Sequence, residues 1–536
     1  FSLHLEDDAS GGDRLQLSGA ARIIVLDRGT IPKAAAVLES ATPKACHDLK
    51  THLRRFAGYG IKLAGVDFDT MLAGFLLNSG KPEPSLDDLH REYLLPLGKR
   101  VEVRSSAELA GALREPLLRK LEENGLARLF NEIEMPIASI LAEMETAGIG
   151  VDADALRAIS REFGEQMGRL EMECHRLAGH EFNLNSPIQL REILFAELKL
   201  SSKSLKKTKS GYSTDADTLE KLAAEHPLPR KLLEYRAISK IKSTYADALE
   251  ALMDRTAGRV HTTFHQALTA TGRLSSSDPN LQNIPTRSEE GRRIRRAFVA
   301  KPDYLLMSAD YSQIELRVLA HLSGDATLVD AFTRGEDVHT RTAIEVLGVT
   351  ADKLDAEARR LAKVINFGII YGMGPQRLAG QLGISLSEAS DYIKRYFERL
   401  PGVRAYLDET VRKAREDGYV TTMFGRRRYL PELKGPPGGA RAQAERIAVN
   451  TPLQGTAADL IKLAMIRLHD RICREKMDCE ILLQVHDELL LEVRHDAIKA
   501  AGEAARAEME DVAKLRVPLR VELKWGLNWA ELGTAA

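Results

Sequence analysis

The sequence predicts a mixed α/β (α+β) protein of several domains, and three observations lead there. Its 536 residues are enough for about three or four cores. Residues 1 to 128 mix strand-like runs with helical stretches, whereas most of the chain beyond them carries the helical period. Two strongly apolar stretches, Leu305–Met307 and Glu480–Val493, interrupt that helical part with the pattern of buried strands.

In chain order, Ala21–Leu26 and Gly65–Phe68 read as short strands, and Met71–Asn78 and Leu86–Leu94 as helices. Ile133–Thr146 (IEMPIASILAEMET) spaces its apolar residues as a helix and runs into Gly148, a suitable C-cap. Ala155–Ala178 is a long amphipathic helix laced with i,i+4 charge pairs. Asn185-Ser186-Pro187 starts another, with proline at its first position. Ser201–Tyr212 is a basic loop, and helix resumes at Asp215–Glu225 and Arg230–Met253. Val260–Gln266 alternates as a strand. Thr271–Pro285 is too polar for a core and too particular in its residues for a linker. Tyr304–Leu322 (YLLMSADYSQIELRVLAHL) opens as a buried strand and closes as a helix with Ile314, Val318 and His321 on one face. Ala326–Leu433 reads as nearly all helix, interrupted at Pro401-Gly402 and Gly425. Lys434–Ala440 is a hinge-like loop and Arg441–Lys476 a helix. Glu480–Val493 is two strands about a His486-Asp487-Glu488 turn, and a last helix precedes the strand Leu519–Leu523.

Composition narrows the function. Hydrophobic residues make up 44% and charged residues 29%, as in ordinary soluble proteins. No apolar run approaches the ~18 residues of a membrane span, and Phe1–Leu17 lacks the build of a signal peptide. No membrane role is therefore expected. The first residue is Phe rather than Met, which points to a fragment or processed chain. Cys46, Cys174, Cys473 and Cys479 form no C-x-x-C pair, so isolated reduced thiols are expected rather than disulfides or zinc. The net charge of −1 gives no sign of a polyanionic partner. The basic residues cluster, however, at Lys203–Lys209, Arg292–Arg296 and Arg426–Arg428, stripes that suit phosphate as well as plain solvent.

Three constellations could carry chemistry. Asp310 ends one buried strand, and Asp487 and Glu488 sit at the tip of a buried hairpin. Taken singly, the first reads as a helix N-cap and the second as an ordinary acidic turn. Together they offer what a two-metal phosphoryl-transfer site requires. Arg359, Lys363, Phe367 and Tyr371 step by four along one helical stripe, cations at one end and aromatic rings at the other. Such a stripe can take phosphates and stack on a sugar or base, with Gly368, Gly372 and Gly374 leaving room. Arg446, Asn450 and Gln454 also step by four, although Pro452 should bend that helix. They, with Arg273, Gln282 and Asn283, could read minor-groove acceptors or be solvated surface.

DYSQIELR at Asp310–Arg317, RRLAKVINFGIIYG at Arg359–Gly372 and VHDE at Val485–Glu488 resemble the three polymerase motifs of the family A DNA polymerases. TATGRLSSSDPNLQNIP at Thr269–Pro285 resembles the family's primer–template segment. The resemblance runs from about Ile133 to Trp529 and is greatest to the large (Klenow-type) fragments of bacterial members. It implies a right-hand fold behind a ribonuclease H-like 3′-5′ exonuclease-type domain. That domain would span residues 1–128, the thumb 129–258, the palm 259–325 and 441–536, and the fingers 326–440. The implied activity is extension of a primer on a DNA template from dNTPs, with release of pyrophosphate, in replication and repair. A bacterial cytoplasmic, nucleoid-associated monomer is expected.

By the same resemblance, Asp310 and Asp487 would hold two Mg²⁺ ions (Mn²⁺ as a substitute), with the Tyr311 carbonyl and Glu488 assisting. Arg359 and Lys363 would grip the triphosphate, Lys363 also protonating the leaving pyrophosphate, and Gln313 and His339 would touch the phosphates. Phe367 would lie against the deoxyribose, Tyr371 would fill the template-base position in the open state, and Glu315 would block a 2′-hydroxyl. Arg273, Gln282, Asn283, Arg446, Asn450, Gln454 and His486 would contact primer and template, and Lys206 and Lys207 would lie over the duplex at the thumb tip.

The departures concern proofreading. The family's exonuclease needs an Asp-x-Glu on its first strand, a mid-domain Asp and a final Tyr-x-x-x-Asp. The N-terminal strand region offers no Asp-x-Glu, Asp48–His52 (DLKTH) ends in His where the family has Asp, and Val101–Phe130 holds neither Tyr nor Asp. Phe68–Asn78 (FDTMLAGFLLN) still resembles the exonuclease fold, so a retained but inactive domain is expected. The family's 5′ nuclease would precede Phe1. Two other readings stand beside the first: a single-subunit RNA polymerase, against which Glu315 argues, and a silent DNA clamp, against which the paired carboxylates argue.

Overall fold

The computed structural model describes residues 1–7, 12–19, 22–97, 104–201, 205, 207–208, 211–286 and 288–534. Its N-terminal part is a sheet of β1 (Ser2–Asp7), β2 (Asp13–Gly19), β3 (Arg22–Asp27), β4 (Lys44–Cys46) and β5 (Val66–Asp69), in the order β3-β2-β1-β4-β5. The first three strands are antiparallel, and β4 runs parallel to β1 and β5. Leu3, Leu5 and Leu15 alternate inward to a core with Phe56, Phe68 and Phe75. Leucine is the only apolar residue in β1 and β2, too weak a strand signal for the sequence reading, which located β3 and β5 alone. Helices α1 (Leu49–Ala57), α2 (Thr70–Leu77) and α3 (Ser106–Glu123) cover this sheet. The last turns Leu109, Leu113, Leu117 and Leu121 inward at a spacing of four.

The chain continues through α4 (Met135–Ala147) and α5 (Ala153–Ala178), along which α6 (Pro227–Ile241) lies. Asp152 caps the start of α5, and Gly179 in the left-handed region (φ +87°) ends it. A second sheet follows, of β6 (Tyr304–Tyr311), β7 (Cys479–Val485), β8 (Glu488–Arg494), β9 (Val521–Gly526) and β10 (Gly533–Thr534). It is antiparallel, in the order β7-β8-β6-β9-β10. Strand β6 is central and covered on both faces, so Leu305 to Ala309 are all buried.

Between β6 and β7 lie α7 (Ile314–Ser323), α8 (Val338–Thr342), α9 (Ala356–Ile370) and α10 (Gly439–Glu475), and after β8 comes α11 (Ile498–Glu510). The helical reading of Ala326–Leu433 needs one correction. Tyr419–Thr421 pairs with Arg427–Tyr429 in a hairpin turned at Gly425, because Gly418 (φ +83°) stops the preceding helix and three good strand formers follow it. Val260–Gln266 is likewise split into Arg259–Val260 and Thr263–His265. Helix α10 runs on through Pro452, where a bend was expected, and burial of Thr451 to Leu453 and Gly455 to Lys462 holds it there. No helix among the described residues is long and apolar enough to cross a membrane.

Buried charges join these parts. Glu134, just before α4, accepts from Lys462 Nζ (2.9 and 3.1 Å) and from Arg426 and Gln266. Arg426 also binds Asp459 through Nε (2.9 Å) and Nη2 (2.6 Å). Glu145 of α4 accepts from Lys50 (2.5 Å) and Arg54 (2.7 Å) of α1 and from the Phe264 N–H (2.7 Å). Glu134, Arg426, Asp459 and Lys462 balance two negative charges against two positive, all at most 2% exposed. Removing one member leaves an uncompensated buried charge, so Lys462→Met should destabilise the fold by about 3–5 kcal/mol, measured as a lowered urea midpoint. An unchanged midpoint would show that the network contributes nothing.

Candidate active site

Asp310 is the penultimate residue of β6, opposite Glu488 on β8 and Glu522 on β9. Paired residues share a face of the sheet, so three carboxylates stand in one row with Asp310 in the middle. The hairpin of β7 and β8 closes on the two-residue turn His486-Asp487, with Val485 opposite Glu488. His486 (φ +56°) adopts the left-handed conformation that L side chains resist, as does Gln313 (φ +55°), where β6 gives way to α7. Both acidic turns are thus locally strained, a feature that collects at functional sites. The Tyr311 N–H donates to the Asp487 carbonyl (3.1 Å) and joins them. Acids nearly a third of the chain apart meet at one end of one sheet.

Asp310 opens onto a cleft, yet the protein around it and then the charges of Glu488, Asp487 and Glu522 push its carboxyl up to about 7. Burial raises Asp487 too, against the pull of Arg273. Among the described residues no three His, Cys, Asp or Glu side chains gather into a metal cage. Two carboxylates on the rim of an open cleft nevertheless fit Mg²⁺, which takes few protein ligands and keeps water and phosphate oxygens. The folded protein holds the Asp310 proton more tightly than the unfolded chain does. That stabilisation is complete below the ordinary value of 3.8 and lost as pH rises through about 7. Without divalent cations, Asp310→Asn should raise the unfolding temperature at about pH 8 and change it little near pH 4, the rise kept small by the solvent that reaches this exposed carboxyl. Calorimetry at the two pH values checks this, and a less stable variant at the higher one would contradict it.

The facing wall is α9. Its Ala358, Ala362, Ile365 and Ile369 are buried, which turns Arg359, Lys363 and Phe367 outward. These three line a cleft of about 750 Å³ together with Asp310, Tyr311, Asp487, Glu488 and His486. Gln282, Asn283, Gln313 and His339 line it as well, so most of the residues singled out in the sequence converge. Lys363 Nζ lies 5.9 Å from the Phe367 ring centroid, and the His339 ring 5.8 Å from it. Burial pushes His339 down to about 4, so it is neutral at pH 7. Asn366 Nδ2 donates to its Nδ1 (3.0 Å), leaving Nε2 as the protonated nitrogen.

A second group sits beside this cleft. Tyr371 follows α9 as its C-cap and does not line the cleft; its hydroxyl donates to Glu315 and meets Gln454. Glu315 also accepts from Arg273 (2.5 Å), while burial raises its carboxyl. Arg446 lies against Gly372, where a Cβ would come within 2.9 Å of its Cγ. Asn450 has a buried Oδ1 without a partner among the described residues. Lys207 is exposed, 5.0 Å from the Tyr212 ring centroid, and does not line the cleft. Lys206 lies outside the described residues.

Three residues enter the site that sequence reasoning missed. Asp337 binds Arg359 (2.5 Å), and its only signal was the N-cap position before α8. Arg295 lines the cleft with its guanidinium over the Trp529 ring (4.0 Å), one member of a basic run read as a phosphate stripe. Glu522 had no signal, since nothing in a strand's sequence names its neighbours.

In the N-terminal part, Asp69 is consumed by structure: it accepts the N–H groups of Asp48, Leu49, Met71 and Leu72 and joins the starts of α1 and α2. His52 is buried, its Nε2 accepting from the Leu5 N–H (2.9 Å) and its Nδ1 donating to the Asp48 carbonyl (2.8 Å). Neither ring nitrogen is left for a ligand.

Residues 153–531 match the sequence model of DNA polymerase family A. DNA polymerase I of Geobacillus stearothermophilus is 45% identical over 520 residues, covering 93% of this chain and 59% of the relative. The thermostable DNA polymerase I of Thermus aquaticus is 47% identical over 464 residues, covering 86% and 55%. The chain spans somewhat more than half the length of these curated relatives. Among solved structures, the POL domain of Pol1 from M. smegmatis, in complex with DNA primer-template and dNTP, superposes with a TM-score of 0.92 at 40% identity. That match covers 99% of this chain and 95% of the other. With a family match over most of its length and a site to go with it, the chain belongs to DNA polymerase family A.

Proposed function

We propose that this chain is a DNA-directed DNA polymerase that adds nucleotides from dNTPs to a primer on a DNA template, releases pyrophosphate, and serves replication and repair. The observation that carries the reading is the cleft itself, with Asp310 and Asp487 on one wall and Arg359, Lys363 and Phe367 on the other. The primer-template and dNTP in the M. smegmatis complex lend it support. Residues 1–128 would be a vestigial exonuclease-like domain, 129–258 the thumb, 326–440 the fingers, and 259–325 with 441–536 the palm.

Asp310 and Asp487, assisted by Glu488 and the Tyr311 carbonyl, would hold two Mg²⁺ ions, which when bound activate the attacking oxygen and stabilise the leaving one. The guanidinium of Arg359 offers a fork of donors to phosphate oxygens, and Lys363 a compact charge that can also give a proton to leaving pyrophosphate. Neutral His339 donates through Nε2 to a phosphate oxygen, and Gln313 through its amide. Phe367 presents a ring face to the deoxyribose. Glu315, pinned by Arg273 and Tyr371, would exclude a 2′-hydroxyl. Arg446, Asn450 and Gln454 would meet the duplex next to Tyr371.

Asp310→Ala should lower the single-nucleotide incorporation rate by several orders of magnitude, because charge stabilisation in the transition state goes with the carboxylate. Near-normal extension by that variant would remove the assignment. Running the parent with ribonucleotides in place of deoxynucleotides separates this reading from an RNA polymerase. The N-terminal domain, with His52 and Asp69 engaged in structure, should not trim a mismatched 3′ end in Mg²⁺. Trimming that survives in an Asp310→Ala/Asp487→Ala double variant would overturn the inactive-exonuclease reading.

A further inference from the structure

Asp337 does not line the cleft, yet three residues that do are tied to it. One carboxylate oxygen accepts the His339 N–H (3.2 Å) and, at 3.4 Å, the Gln313 amide. The other accepts the Thr340 hydroxyl (2.9 Å) and Nε of Arg359 (2.5 Å). Gln313 comes from the strained start of α7, His339 from α8 and Arg359 from α9, so one carboxylate references three elements to each other.

The bond to Arg359 is made in an instructive way. Asp337 takes the inner nitrogen, Nε, and the terminal nitrogens have no hydrogen-bond partner among the described residues. An arginine braced at Nε keeps its outer fork free for a second anion. A long side chain otherwise loses rotamer freedom when a ligand immobilises it. The brace imposes part of that loss in advance, which is preorganisation.

We propose that Asp337 is a positioning residue for nucleotide binding, holding Arg359 with its outer nitrogens toward the triphosphate. The inference rests on reading the cleft as a dNTP site. It separates from a merely structural role because Asn is as good an N-cap as Asp, so Asp337→Asn keeps the start of α8 while removing the negative charge that braces Arg359.

The test is single-turnover incorporation of one dNTP on a primer–template by the full chain, with Kd for the nucleotide and the maximal rate measured separately. Asp337→Asn should raise Kd about tenfold, the scale of one charge-assisted hydrogen bond, and change the maximal rate far less. Asp337→Glu should recover part of the loss. Arg359→Ala should raise Kd at least as much, and adding Asp337→Asn to it should do nothing further. An unchanged or lower Kd for Asp337→Asn beside a raised one for Arg359→Ala would overturn the inference alone, as would multiplying effects in the double variant. An unchanged Kd for Arg359→Ala would instead sink the nucleotide reading of the cleft, and this inference with it. Should Asp337→Asn not fold, Asp337→Ser, another N-cap, carries the same comparison.

Discussion

The structure depends on β6 lying between β8 and β9. That pairing sets Asp310 between Glu488 and Glu522 and, through the Tyr311 N–H, binds the Asp487 turn to the end of the same strand. The arrangement opposes itself electrostatically, since like charges crowd and two non-glycine residues take left-handed backbone at a cost of order 1–3 kcal/mol each. The apolar strands behind it outweigh that cost. Met307, Leu489, Leu490 and Leu491 are all fully buried, and each such side chain contributes about 1.5–3 kcal/mol. The charged end is tolerated because the strands behind it are mostly apolar, and the one fully buried acid among them, Glu492, is paired with Arg259 and Lys301.

Across the cleft the electrostatics reverse. Arg359 and Lys363 face the carboxylates, but His339, which lines the same cleft, stays neutral, because burial and neighbouring cations disfavour a further positive charge. The wall therefore carries donors of two kinds, two charged and one neutral. Asp337 belongs to this balance: although burial pushes its carboxyl up, hydrogen bonds from Arg359 and Thr340 hold it down at about 2, so it is ionised at any working pH.

The two walls come from distant stretches that share one apolar core, in which Leu306 of β6 and Ile365 of α9 are both buried, and buried ion pairs tie that core to the N-terminal part. Glu134 reaches Arg426 and Lys462, and Glu145 reaches Lys50 and Arg54, so α4 bridges the N-terminal sheet, α10 and the hairpin loop before Arg427. In the N-terminal part, the side chains of Asp69 and His52 are spent wholly on backbone groups. Glu492 of the second sheet is spent in the same way, on Arg259 and Lys301, whereas Asp310 and Asp487 line the cleft.

What the sequence determined by itself was chemistry and local form. The apolar runs around Asp310 and Asp487, the four-residue stepping of Arg359, Lys363 and Phe367, and the glycine at Gly148 act over a few residues, where periodicity and capping decide. Weakly patterned elements such as β1 and the hairpin at Tyr419–Tyr429 escaped it, because their conformation is set by partners far along the chain. Only the tertiary structure decided that Tyr371 turns from the stripe to Glu315, that Glu522 stands beside Asp310, and that Asp337 braces Arg359. Each of those is a contact across tens to hundreds of residues, fixed by strand order and helix packing, and a one-dimensional pattern carries no record of which strand will lie beside which.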